Sequence, residues 1–211
     1  AGVIGLEFAS VFSAFGSEVT VLEYAKEVLP HFDSDLAKRL RQSLGKRGIK
    51  IETQAAVKSI AKEGDGLAVA YERKGKEQSV TADKVLMAVG RRANVGTLNL
   101  ADIGVEFSPR GIAVDGNMQT NVPHVYAVGD VNGLMMLAHA ATFQGIRALD
   151  AIMGVDDNLR LDVIPAAVFT MPEVGMVGLT EDGCKAQGFE YVAKKAFFRA
   201  NGKAVCLGET D

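Results

Sequence analysis

The chain has 211 residues, of which 48% are hydrophobic and 23% charged, as is ordinary for a globular protein of one large or two small domains. Its formal net charge of −3 gives no sign of the basic surface that nucleic-acid binding requires. No run of about 18 apolar residues occurs, which argues against a membrane-spanning helix. The two cysteines, Cys184 and Cys206, are too few and too far apart for a metal or C-x-x-C site. We interpret them as reduced thiols of a cytosolic protein.

The sequence opens on Ala-Gly-Val-Ile-Gly, which matches the last five positions of the dinucleotide-binding pattern G-x-G-x-x-G. A helical pattern follows at once, and then a short apolar strand, Val19 to Glu23. This order of glycines, helix, strand and terminal acid is typical of a dinucleotide-binding unit. Gly2 would let the backbone approach a pyrophosphate, and Gly5 would let the helix pack closely against its strand. The helical pattern places five apolar residues on one stripe of the helix: Ile4, Phe8, Val11, Phe12 and Phe15.

Glu23 predicts which nucleotide binds. A carboxylate at this position accepts hydrogen bonds from both hydroxyls of an adenosine ribose, and it repels a 2′-phosphate. The sequence therefore favours NAD over NADP, although Lys26 is a nearby basic residue of the kind that an NADP site uses.

The rest of the first half alternates helix and strand. Asp33 is a predicted N-cap for a helix that carries Leu36, Leu40 and Leu44 on one face and stops at Gly48. Several strands are predicted after it, the middle three forming an antiparallel meander. They are Ile49–Ile51, Val57–Ile60, Leu67–Tyr71, Gln78–Thr81 and, as a strand buried on both faces, Lys84–Val89.

The second half contains one strong motif, TNVPHVYAVGD, in which a predicted strand at Val125–Val128 ends at Asp130. An aspartate at a strand end is suited to clamp a ribose or a ribitol, and the alternative is a solvated turn residue. A helix is predicted from Met136 to Met153, with Leu137, Ala141, Ala148 and Ile152 inward. The remaining predictions are a helix capped by Thr180 and strands at Gly111–Asp115, Tyr191–Phe198 and Ala204–Leu207.

Four stretches together resemble the flavoprotein pyridine-nucleotide disulfide oxidoreductases, in that family's order and approximate spacing. GVIGLEFASVFSAFGSEVTVLE is similar to the family's NAD fingerprint, and VLMAVGRRANV to the strand that closes its NAD domain. TNVPHVYAVGDV, followed by MLAHAA, resembles its second flavin motif. IPAAVFTMPEVGMVGLTE resembles the opening of its dimer-interface domain. Within the family, the branch that oxidises dihydrolipoamide is the most similar.

The resemblance implies an α/β fold in three parts. Residues 1–116 would form a three-layer, Rossmann-like NAD-binding domain with a β-meander, lacking its first strand and first glycine. Residues 117–156 would be the returning part of a second, FAD-binding Rossmann-like domain. Residues 157–211 would be the first part of an α+β dimerisation domain. The chain is then expected to be an internal segment that is inactive alone, because the family's redox C-x-x-x-x-C and catalytic His–Glu pair have no counterpart in it.

The resemblance also assigns cofactor contacts. On the NAD side they are the pyrophosphate turn (Gly2, Ile4 and Gly5), the ribose acid Glu23, Glu7 toward the nicotinamide, and Val57 and Gly90 along the adenine and nicotinamide stretches. On the FAD side they are Asp130 at the ribitol and, at the pyrimidine edge, the backbone amides of Met136, Leu137, Ala138 and His139. No residue present is expected to be catalytic, the three histidines included. Arg91 and Arg92 stay open between a cofactor contact and a structural loop role.

The implied activity is electron transfer from dihydrolipoamide, through a redox disulfide and FAD, to NAD. The implied partners are lipoyl domains of 2-oxo acid dehydrogenase complexes and a second copy of the full-length chain, with no nucleic acid and no membrane. The expected location is the cytoplasm, with a mitochondrial matrix origin as the alternative. Two other functions remain open: an NADPH-dependent relative of the glutathione or mercuric reductase type, and a non-catalytic NAD-binding module.

Overall fold

The structure is a computed structural model that describes residues 1–208 and residue 210. The chain divides into two compact units. The first contains residues 1–89 and the segment from Ala167 onward, and the second contains residues 90–166. These divisions do not coincide with the boundaries predicted at 116/117 and 156/157. A mixed α/β fold with parallel and antiparallel strand pairs is confirmed. No helix in the described part of the chain is long and apolar enough to cross a bilayer.

The first unit begins with helix α1 (Val3–Ala14), which starts directly after the extended residue Gly2. Its buried face is formed by Leu6, Ala9 and Ser10. The predicted helix is confirmed, but its apolar stripe is not the buried face: Ile4, Phe8, Val11 and Phe12 are 43–45% exposed, and Phe15, just beyond the helix, is 84% exposed. Apolar residues surround this helix on most sides, so periodicity alone could not select the face that packs.

A parallel strand pair and one helix form the core beside α1. Strand β1 (Thr20–Glu23) pairs in parallel with β2 (Lys50–Thr53), and α2 (Ser34–Lys46) connects them. Asp33 caps α2 as predicted, because its carboxylate accepts a 3.0 Å hydrogen bond from the N–H of Asp35. Leu40 and Leu44 are buried, with Leu36 partly buried against the same cluster, so the predicted face of α2 is confirmed.

The predicted meander is confirmed, with longer strands than expected. Strands β3 (Ala55–Glu63), β4 (Gly66–Arg73) and β5 (Lys76–Ala82) form an antiparallel sheet in that order. The register shifts between Val57 and Ser59, where β3 carries a bulge.

The predicted strand Lys84–Val89 is wrong. The segment is irregular and forms no ladder with any described strand, and Leu86, Met87 and Val89 are 55%, 65% and 86% exposed. A strand needs a neighbour to satisfy its backbone groups, and no described strand lies beside this one. Ala88 still faces α1: a Cβ at Gly5 would lie 3.4 Å from the Cβ of Ala88. Gly5 thus lies close to Ala88, although that residue is not in a strand.

The end of the first unit contains a strand pair, β8 (Ala166–Val168) and β9 (Val174–Met176), and two short helices. Helix α4 (Glu181–Gln187) is capped by Thr180 as predicted. The predicted strands Tyr191–Phe198 and Ala204–Leu207 are wrong, since the first is largely irregular and exposed and the second lies in helix α5 (Gly202–Leu207). The side chain of Asn201 caps α5 by accepting from the N–H of Ala204, a local signal that outweighs the β-prone composition.

The second unit contains little regular structure besides one helix. Strands β6 (Phe107–Ser108) and β7 (Gly111–Ile112) form a short hairpin, so only the first two residues of the predicted strand Gly111–Asp115 are confirmed. The predicted strand Val125–Val128 is also wrong, because only an isolated bridge joins Gln119 and Tyr126. Helix α3 (Ala138–Met153) begins two residues later than predicted. Of its four predicted inward residues, Ala148 is buried and Ile152 is 58% exposed.

Candidate functional site

The predicted site residues lie in two groups, one in each unit. The first group surrounds the start of α1. Gly2 precedes the helix in an extended conformation, and no side chain caps the first turn, which also carries no acid. The first amides of a helix have no partner within it and carry the positive end of its dipole, so this turn presents donors suited to an anion. Among the described residues, no atom beyond the chain neighbours of Gly2 lies within 4 Å of the position that a Cβ there would occupy.

Glu23 ends β1 beside this turn, as the spacing predicted. Its carboxylate accepts a 2.6 Å hydrogen bond from the N–H of Ala25 and lies against Ala1, the residue before Gly2. Glu23 therefore presents an oriented carboxylate next to the open helix start.

Glu7 is engaged in a contact that the sequence did not indicate. Its Oε1 accepts a 2.9 Å hydrogen bond from the N–H of Phe169, in the loop after β8. One turn further on, the hydroxyl of Ser10 accepts from the N–H of Met171 at 3.1 Å. Two side chains of α1 thus hold this loop, and the carboxylate of Glu7 lies where the loop meets the helix. Val57 lies in β3 opposite Tyr71 and is 46% exposed.

The second group surrounds Asp130, in a 3₁₀ turn at Gly129–Asn132. Its carboxylate accepts a 2.9 Å hydrogen bond from Nη2 of Arg91. Both side chains remain accessible, at 45% exposed for Asp130 and 62% for Arg91, so the ion pair is open to exchange for another partner. Gly90, beside Arg91, has a φ of +117° and open space at its Cβ position.

The start of α3 is a second uncapped helix N-terminus. Leu137 is the extended residue before it, no side chain caps it, and its first turn contains no acid. Met136 precedes this residue, and Ala138 and His139 begin the helix. The Nε2–H of His139 donates to the carbonyl oxygen of Pro165 at 2.7 Å, which fixes the ring. The N–H of Leu137 donates to the carbonyl oxygen of Met135 at 3.0 Å.

Two buried residues behind Asp130 were missed by sequence reasoning. Gln144 is 3% exposed and Asn132 is 6% exposed. Oε1 of Gln144 accepts from the N–H of Gly129 at 2.7 Å and from Nδ2 of Asn132 at 2.8 Å. The available signal was the position of Gln144 between Ala140 and Ala148 at a spacing of four residues, which places a polar side chain on the buried stripe of α3.

Comparison with known families decides the affiliation. Residues 1–145 match the family model described as pyridine nucleotide-disulphide oxidoreductase, and residues 164–211 match the dimerisation domain of the same family. The chain belongs to the pyridine nucleotide-disulphide oxidoreductase family. The sequence resemblance is thereby confirmed, and so is the Rossmann-like α/β class that it implied.

Members of this oxidoreductase family match the chain from end to end. The dihydrolipoyl dehydrogenase of Bacillus subtilis is 41% identical over 212 residues, covering 100% of this chain and 45% of that protein. The enzyme of the same name from Geobacillus stearothermophilus is 39% identical over 211 residues, again covering 100% of this chain and 45% of its own length. The chain therefore spans about half the length of the curated relatives that it matches.

Solved structures give the same fold. LpdA from Mycobacterium tuberculosis superposes with a TM-score of 0.87 at 29% identity, covering 100% of this chain and 46% of that one. The HOCl-induced flavoprotein disulfide reductase RclA from Escherichia coli superposes with a TM-score of 0.84 at 27% identity, covering 99% and 48%.

Proposed function

We propose that the full-length gene product is an NAD-dependent dihydrolipoyl dehydrogenase. It would carry electrons from dihydrolipoamide, through a redox disulfide and FAD, to NAD. The observation that carries the nucleotide part of this proposal is the fixed Glu23 carboxylate beside an uncapped, acid-free helix start at Gly2. Dihydrolipoyl dehydrogenases that match the whole chain at about 40% identity support the choice of substrate.

The first group fits NAD by the chemistry of its donors and acceptors. The amides at Gly2, Ile4 and Gly5 would take the pyrophosphate, and Glu23 would accept from the adenosine ribose. A carboxylate at Glu23 would also repel a 2′-phosphate. Glu7 and Val57 are proposed contacts of the first group on the family resemblance, and Glu7 is oriented by its hydrogen bond from Phe169. Gly90, in the second unit, is a proposed NAD contact on the family resemblance alone.

The second group fits FAD in a similar way. Asp130 would hold the ribitol by exchanging its hydrogen bond from Arg91 for one from a ribitol hydroxyl. Arg91 would then have a structural role, which is to orient Asp130 before the flavin binds. The amides of Met136, Ala138 and His139 would face the pyrimidine edge, where a helix N-terminus favours negative charge. The amide of Leu137 would join them by exchanging its hydrogen bond to Met135 for the flavin. Bound FAD would supply the two-electron step between the disulfide and NAD.

The proposed organisation follows the family. Residues 1–116 would belong to the NAD domain, 117–156 to the FAD domain and 157–211 to the dimer interface, where the dimerisation match lies. We propose a homodimer that serves lipoyl domains of a 2-oxo acid dehydrogenase complex, in the cytoplasm or a mitochondrial matrix. A second candidate is another flavoprotein disulfide reductase, favoured by the similarity to RclA.

Steady-state kinetics of the purified full-length gene product test the proposal. Dihydrolipoamide with NAD should give rapid NADH formation, and NADP should be a much poorer acceptor. Rapid NADPH oxidation with glutathione disulfide, without dihydrolipoamide activity, would overturn the proposal in favour of the second candidate. Residues 1–211 expressed alone should give no turnover above a blank without enzyme, because their two cysteines, Cys184 and Cys206, do not form a C-x-x-x-x-C pair.

A further inference from the structure

The backbone of the turn that carries Asp130 packs directly against the backbone at the start of β7. A Cβ at Gly133 would lie 1.8 Å from the carbonyl oxygen of Arg110, and a Cβ at Gly111 would lie 2.5 Å from the carbonyl carbon of Asn132. Gly133 also has a φ of +69°, which favours glycine. The turn is therefore pressed against a neighbouring segment with no room for side chains between them.

A buried hydrogen-bond network holds the same turn from the side of α3. Its centre is Oε1 of Gln144, which accepts from the N–H of Gly129 and from Nδ2 of Asn132. Asn132 extends the network, since Nδ2 also donates to the carbonyl of Ala127 at 3.1 Å and Oδ1 accepts from the N–H of Leu134 at 3.0 Å. The bonds therefore fix the backbone both before and after Asp130.

The network also fixes the distance between α3 and the turn that carries Asp130. Gln144 lies on the second turn of α3, the helix whose N-terminus contains Ala138 and His139. Its bonds to Gly129 and Asn132 join that helix rigidly to the turn that carries Asp130. Neither Gln144 nor Asn132 is exposed enough to bind a ligand directly. Their effect on a ligand at this site is exerted through the two elements that they join.

We propose that Gln144 and Asn132 are positioning residues that set the spacing between Asp130 and the N-terminal amides of α3, and hence between the ribitol and pyrimidine contacts of a bound flavin. This inference rests on the proposed flavin site. Asp130 acts on the ribitol, and the amides act on the ring. Gln144 holds α3 at a fixed spacing from the turn that carries Asp130, because its Oε1 accepts from two donors of that turn, the N–H of Gly129 and Nδ2 of Asn132.

The test compares variants of the full-length gene product, purified as holoprotein, in FAD affinity and in the visible absorption spectrum of the flavin. Gln144→Leu removes the shared acceptor and should weaken FAD binding by about tenfold to a hundredfold, as expected when buried donors lose their partner. Gln144→Glu keeps an oxygen acceptor and should restore affinity to within about threefold of wild type. Asn132→Ala should give an intermediate loss, since the Gly129 bond remains.

Ala148→Gly is the matched control, because it weakens the same helix at a buried position outside the network. It should lower the melting temperature while leaving FAD affinity within about twofold. A folded Gln144→Leu protein with wild-type FAD affinity would overturn the inference. If Gln144→Leu does not fold, Asn132→Ala decides, and unchanged affinity there overturns it. A wild-type protein that binds no FAD at all would instead refute the proposed function, and this inference with it.

Discussion

Replacing Glu23 by glutamine changes one charge at the proposed NAD site and little else. The side chain is only 16% exposed and is oriented by the N–H of Ala25, so glutamine of the same length can keep this bond through its carbonyl oxygen. On the proposed function, what is lost is the anionic acceptor for two ribose hydroxyls. Hydrogen bonds to a charged group contribute more than neutral ones, so we expect a loss of about 1–3 kcal/mol, or roughly tenfold to a hundredfold in affinity for NADH.

The same substitution should improve the relative binding of NADPH, because it removes the like-charge repulsion against a 2′-phosphate. Fluorescence titration of the full-length gene product with both nucleotides measures the two effects together. Glu18→Gln is the control, since Glu18 is an exposed glutamate before β1 and its replacement makes the same change in net charge. An unchanged NADH affinity and an unchanged NADH-to-NADPH ratio would remove Glu23 from the site.

Three further predictions concern the flavin site, the core and the acid response. Asp130→Asn should weaken FAD retention during gel filtration without changing NADH affinity, whereas Asp162→Asn, which disrupts an exposed Arg160–Asp162 pair, should leave FAD retention unchanged. Leu44→Ala should lower the free energy of unfolding in urea by about 2–5 kcal/mol, because the side chain is fully buried; a loss no larger than that of the exposed Leu179→Ala would contradict the core assignment. Asp157 accepts a hydrogen bond from Arg147, and this bond lowers the pKa of Asp157 in the folded protein. The stability that the ionised Asp157 contributes is therefore present at neutral pH, and it is lost as the pH falls from about 4, the unfolded-state pKa, toward the lower folded-state pKa. Asp157→Asn should therefore flatten the fall of the urea midpoint below about pH 4, and an equally steep fall would refute this role.

The elements that the sequence predicted well are those whose signals are local. Asp33 before α2 and Thr180 before α4 supply caps within three residues of the amides that they satisfy. The meander has polar turns between its strands, so each strand finds its partner nearby. Glu23 was placed correctly for the same reason, since the glycine turn, one helix and one strand fix its position.

The errors come from information that a local pattern does not contain. The composition of Lys84–Val89 fits a buried strand, but a strand also needs a neighbour, and no described strand pairs with it. Ala204–Leu207 has β-prone residues, yet the cap at Asn201 favours a helix. Gln144 was missed because a polar residue within a helix is usually exposed, and only the packing of α3 shows that it lies inside.

Capping separates the structural helices from the two helices at the proposed sites. Among the α-helices in the described part of the chain, α2, α4 and α5 are capped by side chains of Asp33, Thr180 and Asn201, so part of their N-terminal hydrogen-bonding capacity is used within the protein. The helices α1 and α3 have no side-chain cap and no acid in the first turn. Each is accompanied by a carboxylate, Glu23 for α1 and Asp130 for α3, that accepts a hydrogen bond from a neighbouring group. A dinucleotide has anionic or electron-rich groups, which backbone amides can bind, and sugar hydroxyls, which a carboxylate can bind. The start of α1 with Glu23 and the start of α3 with Asp130 each combine both kinds of group. The N-termini of α1 and α3 therefore keep amides that no side chain caps, whereas those of α2, α4 and α5 do not. This difference is the strongest physical reason for proposing the cofactor sites at α1 and α3.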